Sequence, residues 1–186
     1  MRVHTKGYIA IKMALSLIAV LLVISCAQME PYVAIFQNWD YSFNDGGMQF
    51  ASLGDLESWV HNTIIYKSDK QAWGWTEYWA SPALTLATKE GDCEDHALLF
   101  MYLAHARHLA SDPELVGIIQ QDGVGHAIVR IGDTYYDPTN GTTYSAALMT
   151  DSMLFTLSYG QAMYIAVNDH DAYQGIARAK GILTGR

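Results

Sequence analysis

A single cysteine stands among carboxylates in the stretch KEGDCEDHALLFMYLAHARHLA, residues 89–110. Cys93 is flanked by Asp92 and Glu94, and Asp95 follows. Neighbouring negative charges raise the pKa of a thiol and therefore oppose formation of the nucleophilic thiolate. A reactive Cys93 needs a stabilising group that outweighs these carboxylates, and an imidazolium beside the sulfur is such a group.

The same stretch predicts that a helix begins close to Cys93. Gly91 allows a tight approach of the chain, and Asp92 is suited to the N-cap position. The residues spaced to share a helix face with Cys93 are apolar: Ala97, Phe100, Met101 and Ala104. The helix dipole favours a thiolate in the first turn, but by only on the order of 1 kcal/mol. A catalytic role for Cys93 therefore needs a histidine and a group that orients it.

The segment HAIVRIGDTYYD, residues 126–137, predicts an antiparallel hairpin that supplies both groups. If residues 132–133 form a two-residue turn, which glycine in the first position suits, Ile128 faces Asp137. His126 lies two residues from Ile128 and therefore on the same sheet face as Asp137. The two residues are then diagonal neighbours, with backbones roughly 7–8 Å apart and side chains within reach. A register shifted by one residue would put them on opposite faces.

Cys93, His126 and Asp137 together have the composition of a catalytic triad. His126 would take the thiol proton and later give a proton to the leaving group, and Asp137 would fix the imidazole tautomer. The backbone N–H of Cys93 is a candidate oxyanion donor. A second donor is expected from the Trp-rich segment before the helix. Trp73, Trp75 and Trp79 have indole N–H groups there and Gln71 has an amide, and of these we take Trp79 and Gln71 as the candidates.

Three segments, YWASPALTLATKEGDCEDHALL, GHAIVRI and YYDPTNG, resemble the transglutaminase-like cysteine peptidases of bacteria over residues 78–141. The resemblance implies an α+β fold of the transglutaminase-like, papain-like type. In this fold a helix bearing the cysteine packs on an antiparallel sheet bearing the histidine and the aspartate. The resemblance also implies that Cys93, His126 and Asp137 are the triad of an exported enzyme that acts on proteins or peptides.

Some members of this family, periplasmic proteases that trim surface adhesins, are similar enough to suggest calcium near the nucleophile. Asp92 and Glu94 occupy the matching positions. Adjacent carboxylates offer hard oxygen ligands, and a cation bound there would cancel their repulsion of the thiolate. The triad itself requires no cofactor, so calcium is an expectation that comes from the resemblance.

The first 25 residues have the pattern of a bacterial signal peptide of the lipoprotein type. Basic residues precede an apolar stretch, residues 13–24, that is too short for a comfortable membrane span. The sequence VISC, residues 23–26, resembles a lipobox, and by that resemblance Cys26 would be lipidated. An uncleaved N-terminal anchor is the alternative. In both cases we expect a protein of the cell envelope that is tethered to a membrane.

Charge and cysteine count narrow the function classes. The chain has 11 Lys and Arg against 19 Asp and Glu, and a balance this acidic argues against nucleic acid as a partner. If Cys26 carries lipid, Cys93 is the only thiol left in an exported protein. Exported domains normally pair their cysteines or lack them, so this unpaired thiol favours a reactive role.

The remaining chain is predicted to comprise an irregular entry segment, residues 26–50, and one transglutaminase-like domain, residues 51–186. Apolar residues at helical spacing predict an amphipathic helix over residues 53–66. Strands are expected at residues 114–120, 126–131 and 134–136, a helix at residues 145–158, and a last strand at residues 162–168.

Two alternatives to a peptidase or amidase stay open at this point. With a lysine amine in place of water as the acceptor, the same thioester would make the enzyme a protein-crosslinking transglutaminase. A non-catalytic lipoprotein that binds a peptide or an envelope partner would keep the fold with an unreactive Cys93. Hydrolysis is favoured because water needs no dedicated acceptor site.

Overall fold

The computed structural model describes residues 41–146 and 152–169. The predicted signal peptide, Cys26 and the first part of the predicted entry segment lie outside these residues. The described part of the entry segment, residues 41–50, contains a turn but no helix or strand. None of the helices within the two described ranges is long and apolar enough to cross a membrane.

The described residues form helices on an antiparallel sheet. The helices are α1 (Leu53–Thr63), α2 (Asp69–Ala72), α3 (Pro82–Thr88), α4 (Cys93–Ala106) and α5 (Tyr159–Tyr164), and a π-helical segment (Ile165–Asp169) continues α5. The strands are β1 (Ile65–Tyr66), β2 (Glu90–Gly91), β3 (Glu114–Ile119), β4 (Gly125–Ile131), β5 (Thr134–Asp137), β6 (Thr142–Ser145) and β7 (Ser152–Ser158). Strands β1 and β2 form a parallel pair, and the others form a five-stranded sheet in the order β6-β5-β4-β3-β7. This arrangement confirms the predicted α+β class.

Helix α1 forms where the apolar spacing predicts it. Its N-cap residue Ser52 accepts a hydrogen bond from the backbone N–H of Asp55 at 3.1 Å, which satisfies one of the free donors of the first turn. Leu56 and Val60 are fully buried on the inner face. The helix ends at Thr63, before the predicted end, because the chain turns extended and pairs with β2.

Helix α4 begins at Cys93, as the sequence predicts, and is the central element of the core. The side chains of residues 94–104 are all buried, including the carboxylates of Glu94 and Asp95. A helix that is buried on every side lies within the protein rather than on its surface. Its first turn is therefore held in a fixed place relative to the sheet.

The hairpin of β4 and β5 has the predicted register. Val129 pairs with Tyr136 and Ile131 with Thr134. Gly132 has a φ angle of +59°, a conformation that glycine adopts without steric cost. The turn therefore fixes which residues of the two strands share a face.

Two predictions for the chain after residue 141 are wrong. Residues Ser152–Ser158, predicted to be helical, form β7, which pairs with β3. The segment predicted to be the last strand is helix α5 and its π-helical continuation. A capping box starts that helix, because Ser158 and Gln161 each bond the backbone N–H of the other, and this local signal outweighs the β-branched residues that follow.

The sheet has two faces with different partners. Ala127 and Val129 lie in the main core cluster together with the buried side chains of α4. Val116, Ile118 and Ile128 form a second buried cluster on the opposite face. Side chains alternate along a strand, so the register of β4 and β5 puts His126 and Asp137 on the same face as each other, where their side chains meet.

Candidate active site

Cys93 occupies the first position of α4, and the loops before it are packed closely around this helix start. Asp92 is the N-cap residue by position, but its side chain does not cap the helix. Its carboxylate instead accepts a hydrogen bond from the backbone N–H of Asp69 at 3.2 Å. A Cβ atom on Gly91 would lie 2.5 Å from the Cβ of Asp95, so glycine is required for this close approach.

The thiol of Cys93 has two polar contacts. It donates a hydrogen bond to Oε2 of Glu94 at 3.2 Å, and the sulfur accepts one from the backbone N–H of Ala127. Burial raises the pKa of the Cys93 thiol well above its usual range, the charges of Glu94 and Asp92 raise it further, and the Ala127 donor opposes them. The carboxylates therefore raise the pKa of the thiol, as the sequence suggests, and this environment favours the protonated thiol.

His126 and Asp137 form the hydrogen-bonded pair that the hairpin register predicts. Nε2 of His126 lies 2.9 Å from Oδ2 of Asp137, and both side chains are almost completely buried. Asn140 donates two further hydrogen bonds to the same carboxylate, from its backbone N–H at 3.1 Å and from its side-chain amide at 2.8 Å. Burial of Asp137 opposes its ionisation, but the donors from His126 and Asn140 outweigh burial and lower its pKa.

The contact between Cys93 and Ala127 links the helix start to this pair. Ala127 follows His126 in β4, so the sulfur lies against the main chain one residue from the histidine. Because Nε2 of His126 is engaged by Asp137, Nδ1 is the ring nitrogen that can accept a proton. The structure thus brings the cysteine to the strand that carries the predicted histidine, and joins that histidine to the predicted aspartate.

Five carboxylates lie close together beside the thiol. The family resemblance named only two of them, Asp92 and Glu94, as calcium ligands. Oxygens of Asp69, Asp92 and Asp95 lie within 4.8 Å of one another, and so do oxygens of Asp69, Glu77 and Glu94. One buried oxygen on each of Asp69, Asp92 and Asp95 has no hydrogen-bond partner among the described residues. No Lys or Arg of the described ranges forms an ion pair with Asp69, Asp92, Glu94 or Asp95.

Burial raises the pKa of four of these carboxylates: Asp69, Asp92, Glu94 and Asp95. Burial raises the pKa of Asp69 to about 7, and the neighbouring charge of Asp92 adds to this effect. Burial is also the largest cause of the raised pKa values of Asp92, Glu94 and Asp95. Unpaired buried carboxylates of this kind are costly to a fold, and hard oxygen donors in such a group suit a calcium ion.

The two candidate oxyanion donors have different surroundings. The indole N–H of Trp79 is donated to Glu77 at 3.1 Å, and the ring is buried in the core. Gln71 is exposed on α2, where its amide oxygen accepts a hydrogen bond from Ser68 at 3.3 Å. The side chain of Gln71 is therefore accessible to solvent, whereas the indole N–H of Trp79 is bonded to Glu77.

Sequence reasoning missed several residues around the nucleophile. Asp69 and Glu77 lie far from Cys93 in the chain, and no local pattern marks them. Asp95 lies two residues after Cys93, but only Asp92 and Glu94 were expected to bind calcium. Tyr66 is 59% exposed. Burial is the largest cause of its raised pKa, and the charges of Cys93 and Asp92 add to it, so Tyr66 lies beside the nucleophile.

The carboxylate cluster predicts an unusual pH dependence of stability. The folded-state pKa of Asp69 lies near 7, whereas its usual value is 3.8. Folding therefore favours the protonated acid, and stability is lost as the pH rises from about 4 to 7. Asp137 acts in the opposite direction, because its lowered pKa contributes stability that is lost only at acid pH. In the presence of a chelator we expect the Tm to fall by about 5 °C between pH 5 and pH 8.

Thermal unfolding across this range checks the prediction. Asp69→Asn keeps an acceptor for the backbone N–H of Tyr78, which bonds Asp69, and should flatten the profile. Asp55→Asn on the exposed face of α1 is the control and should leave the profile as it is. A wild-type Tm that rises from pH 5 to pH 8 would contradict the prediction.

A cysteine at the start of a buried helix and a His–Asp pair on adjacent strands of an antiparallel sheet are the arrangement found in cysteine peptidases. The sequence model of the bacterial transglutaminase-like cysteine proteinases, BTLCP, matches residues 25–137, more than half of the 186-residue chain. The chain belongs to this family, as the sequence motifs predict. Among curated proteins, none matches the sequence significantly.

Solved structures of LapG from Legionella pneumophila are similar in fold. The EGTA-treated form has a TM-score of 0.50 at 16% identity, with 56% of this chain and 61% of LapG covered. The calcium-bound form has a TM-score of 0.49 at 17% identity, with coverages of 56% and 62%. The match therefore spans about three fifths of the length of LapG.

Proposed function

We propose that the protein is a cysteine peptidase or amidase that acts on proteins or peptides, with Cys93 as nucleophile, His126 as base and Asp137 as the group that orients the base. The observation that carries this proposal is the hydrogen bond of 2.9 Å between Nε2 of His126 and Oδ2 of Asp137. His126 is followed in β4 by Ala127, and the backbone N–H of Ala127 bonds the sulfur of Cys93.

The chemistry follows from these contacts. Asp137 holds the proton of His126 on Nε2, which leaves the Nδ1 lone pair free to accept the proton of Cys93. The sulfur then attacks the carbonyl carbon of an amide, and a C–S bond forms. As the C–N bond breaks, Nδ1 of His126 gives the proton to the leaving amine, and a thioester remains. Attack of water on the thioester releases the acid and restores the thiol.

Charge that develops on the carbonyl oxygen needs donors close to the sulfur. The backbone N–H groups of the first turn of α4 have no partner within the helix, and that of Cys93 is the nearest to the reacting carbon. The exposed amide of Gln71 is the second donor in this proposal. Trp79 is assigned a place in the site wall, because its indole N–H is bonded to Glu77.

The carboxylate cluster beside Cys93 supports a calcium site, which the family resemblance suggested for Asp92 and Glu94. The unpartnered oxygens of Asp69, Asp92 and Asp95 fit a hard cation, and Glu94 completes the group next to the thiol. Bound calcium supplies positive charge that offsets the repulsion between these carboxylates and a thiolate. Glu94, once engaged as a ligand, would no longer accept the thiol proton in a hydrogen bond.

Calcium addition is expected to stabilise the protein and to activate its thiol. We predict a Tm increase of about 5 °C or more at saturating calcium, and loss of Cys93 reactivity when EGTA is added. Binding requires deprotonated carboxylates, so the affinity should weaken as the pH falls below 7, near the pKa of Asp69. Isothermal titration calorimetry and thermal unfolding at pH 6 and pH 8 measure both effects.

Two double variants distinguish calcium binding at this cluster from nonspecific binding to an acidic protein. Asp92→Asn with Glu94→Gln should abolish calcium binding and the Tm increase. Asp112→Asn with Glu114→Gln removes two carboxylates at the start of β3, outside the cluster, and should leave both calcium binding and the Tm increase unchanged. Equal calcium affinity in the two double variants would rule out this location.

Hydrolysis and transamidation are distinguished by the products of the thioester. We propose hydrolysis, and mass spectrometry of envelope proteins incubated with the enzyme tests it. New N- and C-termini that require Cys93 support a peptidase. Isopeptide-linked lysines without new termini would instead assign the chain to the crosslinking enzymes, and no covalent change in any protein would favour a binding lipoprotein.

We propose further that the protein is exported and anchored to the cell envelope through lipid on Cys26, because residues 23–26 resemble a lipobox. In a bacterial host the full chain should then fractionate with membranes, and Cys26→Ala should shift most of it to the soluble fraction. Cys93→Ala is the matched control and should stay with membranes. Membrane association that is indifferent to Cys26 would favour an uncleaved N-terminal anchor.

A further inference from the structure

Glu57 is a buried acid that bonds the end of β5 from helix α1. Only 5% of its surface is exposed, and its two oxygens have separate partners. Oε1 accepts a hydrogen bond from the backbone N–H of Asp137 at 3.0 Å, and Oε2 accepts one from the hydroxyl of Thr143 at 2.5 Å. Glu57 therefore links Asp137, which bonds His126, to Thr143 in the neighbouring strand β6.

A second residue of the same helix face bonds the turn that follows Asp137. Nδ1 of His61 donates a hydrogen bond to the carbonyl oxygen of Thr139 at 2.8 Å. Gly141 lies so close that a Cβ atom there would be 2.9 Å from the His61 ring. The main chain from Asp137 to Gly141 is thus held against α1 at two points, one turn of helix apart.

Burial of Glu57 is costly to the fold rather than favourable. Burial raises the pKa of Glu57, and the donors from Thr143 and Asp137 offset this only in part. The charge of Asp137 also opposes ionisation of Glu57. An apolar residue of similar size would avoid this desolvation cost, but it would leave the backbone N–H of Asp137 without this acceptor.

We propose that Glu57 is a positioning residue of the active site: it fixes the main chain at Asp137 and, through that carboxylate, the orientation of His126. This inference rests on the proposed function, since orientation of His126 matters only if it is the base. A displacement of about 1 Å at a catalytic group can reduce turnover about a hundredfold, and the Glu57 contacts restrict such a displacement of Asp137.

Substitution of Glu57 tests the role of its acceptor oxygen. Glu57→Leu fills a similar volume but removes the acceptor for the Asp137 N–H, and we expect kcat to fall by roughly 10- to 100-fold with little change in KM. Glu57→Gln keeps an acceptor for that N–H and should restore most of the lost rate. The substrate is a fluorogenic peptide built on the cleavage sequence found by mass spectrometry.

Val60→Ala is the matched control for loss of stability. Val60 lies on the same helix and is fully buried, but it does not bond the β5 end, so the variant should lower Tm and keep kcat. Thr143→Val and Thr143→Ser provide a second test in case Glu57→Leu does not fold. Only valine removes the hydroxyl that holds Glu57, so valine should reduce kcat severalfold whereas serine should not.

Nitrogen-15 NMR of histidine-labelled protein gives a readout that needs no substrate. The Nε2 signal of His126 reports its hydrogen bond to Asp137, and it should shift in Glu57→Leu and Thr143→Val but stay in place in Val60→Ala and Thr143→Ser. Unchanged His126 signals and unchanged kcat in folded Glu57→Leu and in Thr143→Val would overturn the role of Glu57. A wild-type chain without activity, or a fully active His126→Ala, would instead remove the proposed function.

Discussion

Replacement of Cys93 by alanine is expected to abolish cleavage, with kcat lowered on the order of a millionfold or to the uncatalysed rate. The proposed reaction begins with attack by the sulfur, and no other described side chain offers a free thiol. Labelling of the peptide that contains residue 93 by iodoacetamide should be lost at the same time. Mass spectrometry of the labelled protein and a peptide cleavage assay measure the two effects.

Cys93→Ser is the informative companion to this variant. Serine keeps a hydroxyl that can donate to Glu94, as the thiol does, so it preserves the local hydrogen bond and changes the nucleophile. A hydroxyl is a much weaker nucleophile than a thiolate, and serine should be nearly as inactive as alanine. Cys26→Ala removes the other cysteine of the chain. This variant enzyme should cleave a soluble peptide at the wild-type rate. Cleavage that survives Cys93→Ala would eliminate the cysteine mechanism.

Local sequence signals were sufficient to predict the parts of the fold that carry the proposed triad. The GDCED motif places a glycine where the chain approaches Asp95 closely, and the helix begins at Cys93 as expected. The glycine at position 132 permits a turn that sets the hairpin register. Because side chains alternate along each strand, that register alone brings His126 and Asp137 to one face.

Residues that reach the site from distant parts of the chain could not be predicted in the same way. Asp69 bonds the N-cap residue Asp92 across a parallel pair of two-residue strands, β1 and β2. Glu57 bonds Asp137 from a helix 80 positions earlier in the chain. A short strand pair leaves no periodic pattern, and a buried acid within an amphipathic helix resembles an ordinary surface residue when it is read from sequence.

The prediction that failed at the C-terminal end had a recognisable signal against it. The Ser158–Gln161 pair is a capping box, which marks a helix start. The segment predicted to be a strand contains the β-branched residues Ile165 and Val167, which favour strands. Helix α5 shows that a satisfied cap and burial of Ala162 and Met163 in the core outweigh such propensities.

Asp137→Asn is expected to lower kcat by on the order of 10³- to 10⁴-fold, the second largest effect that we predict. The Oδ2 atom of Asp137 accepts from both Nε2 of His126 and the amide of Asn140. The other oxygen, Oδ1, accepts from the backbone N–H of Asn140, so the NH2 group of an asparagine must face a donor at whichever of the two positions it occupies. If it faces His126, the imidazole has to carry its proton on Nδ1 instead, and the nitrogen that should receive the thiol proton is blocked.

The carboxylate also contributes charge, which asparagine lacks. The His126 and Asn140 donors lower the pKa of Asp137, so it stays ionised at neutral pH and stabilises the imidazolium that forms when Cys93 loses its proton. Asp133→Asn, in the turn at the opposite end of the same hairpin, is the matched control and should retain the wild-type rate. The pH dependence of kcat for the two variants measures the effect. A folded Asp137→Asn enzyme within about threefold of the wild-type rate would mean that His126 acts without an orienting carboxylate, contrary to the tautomer argument above.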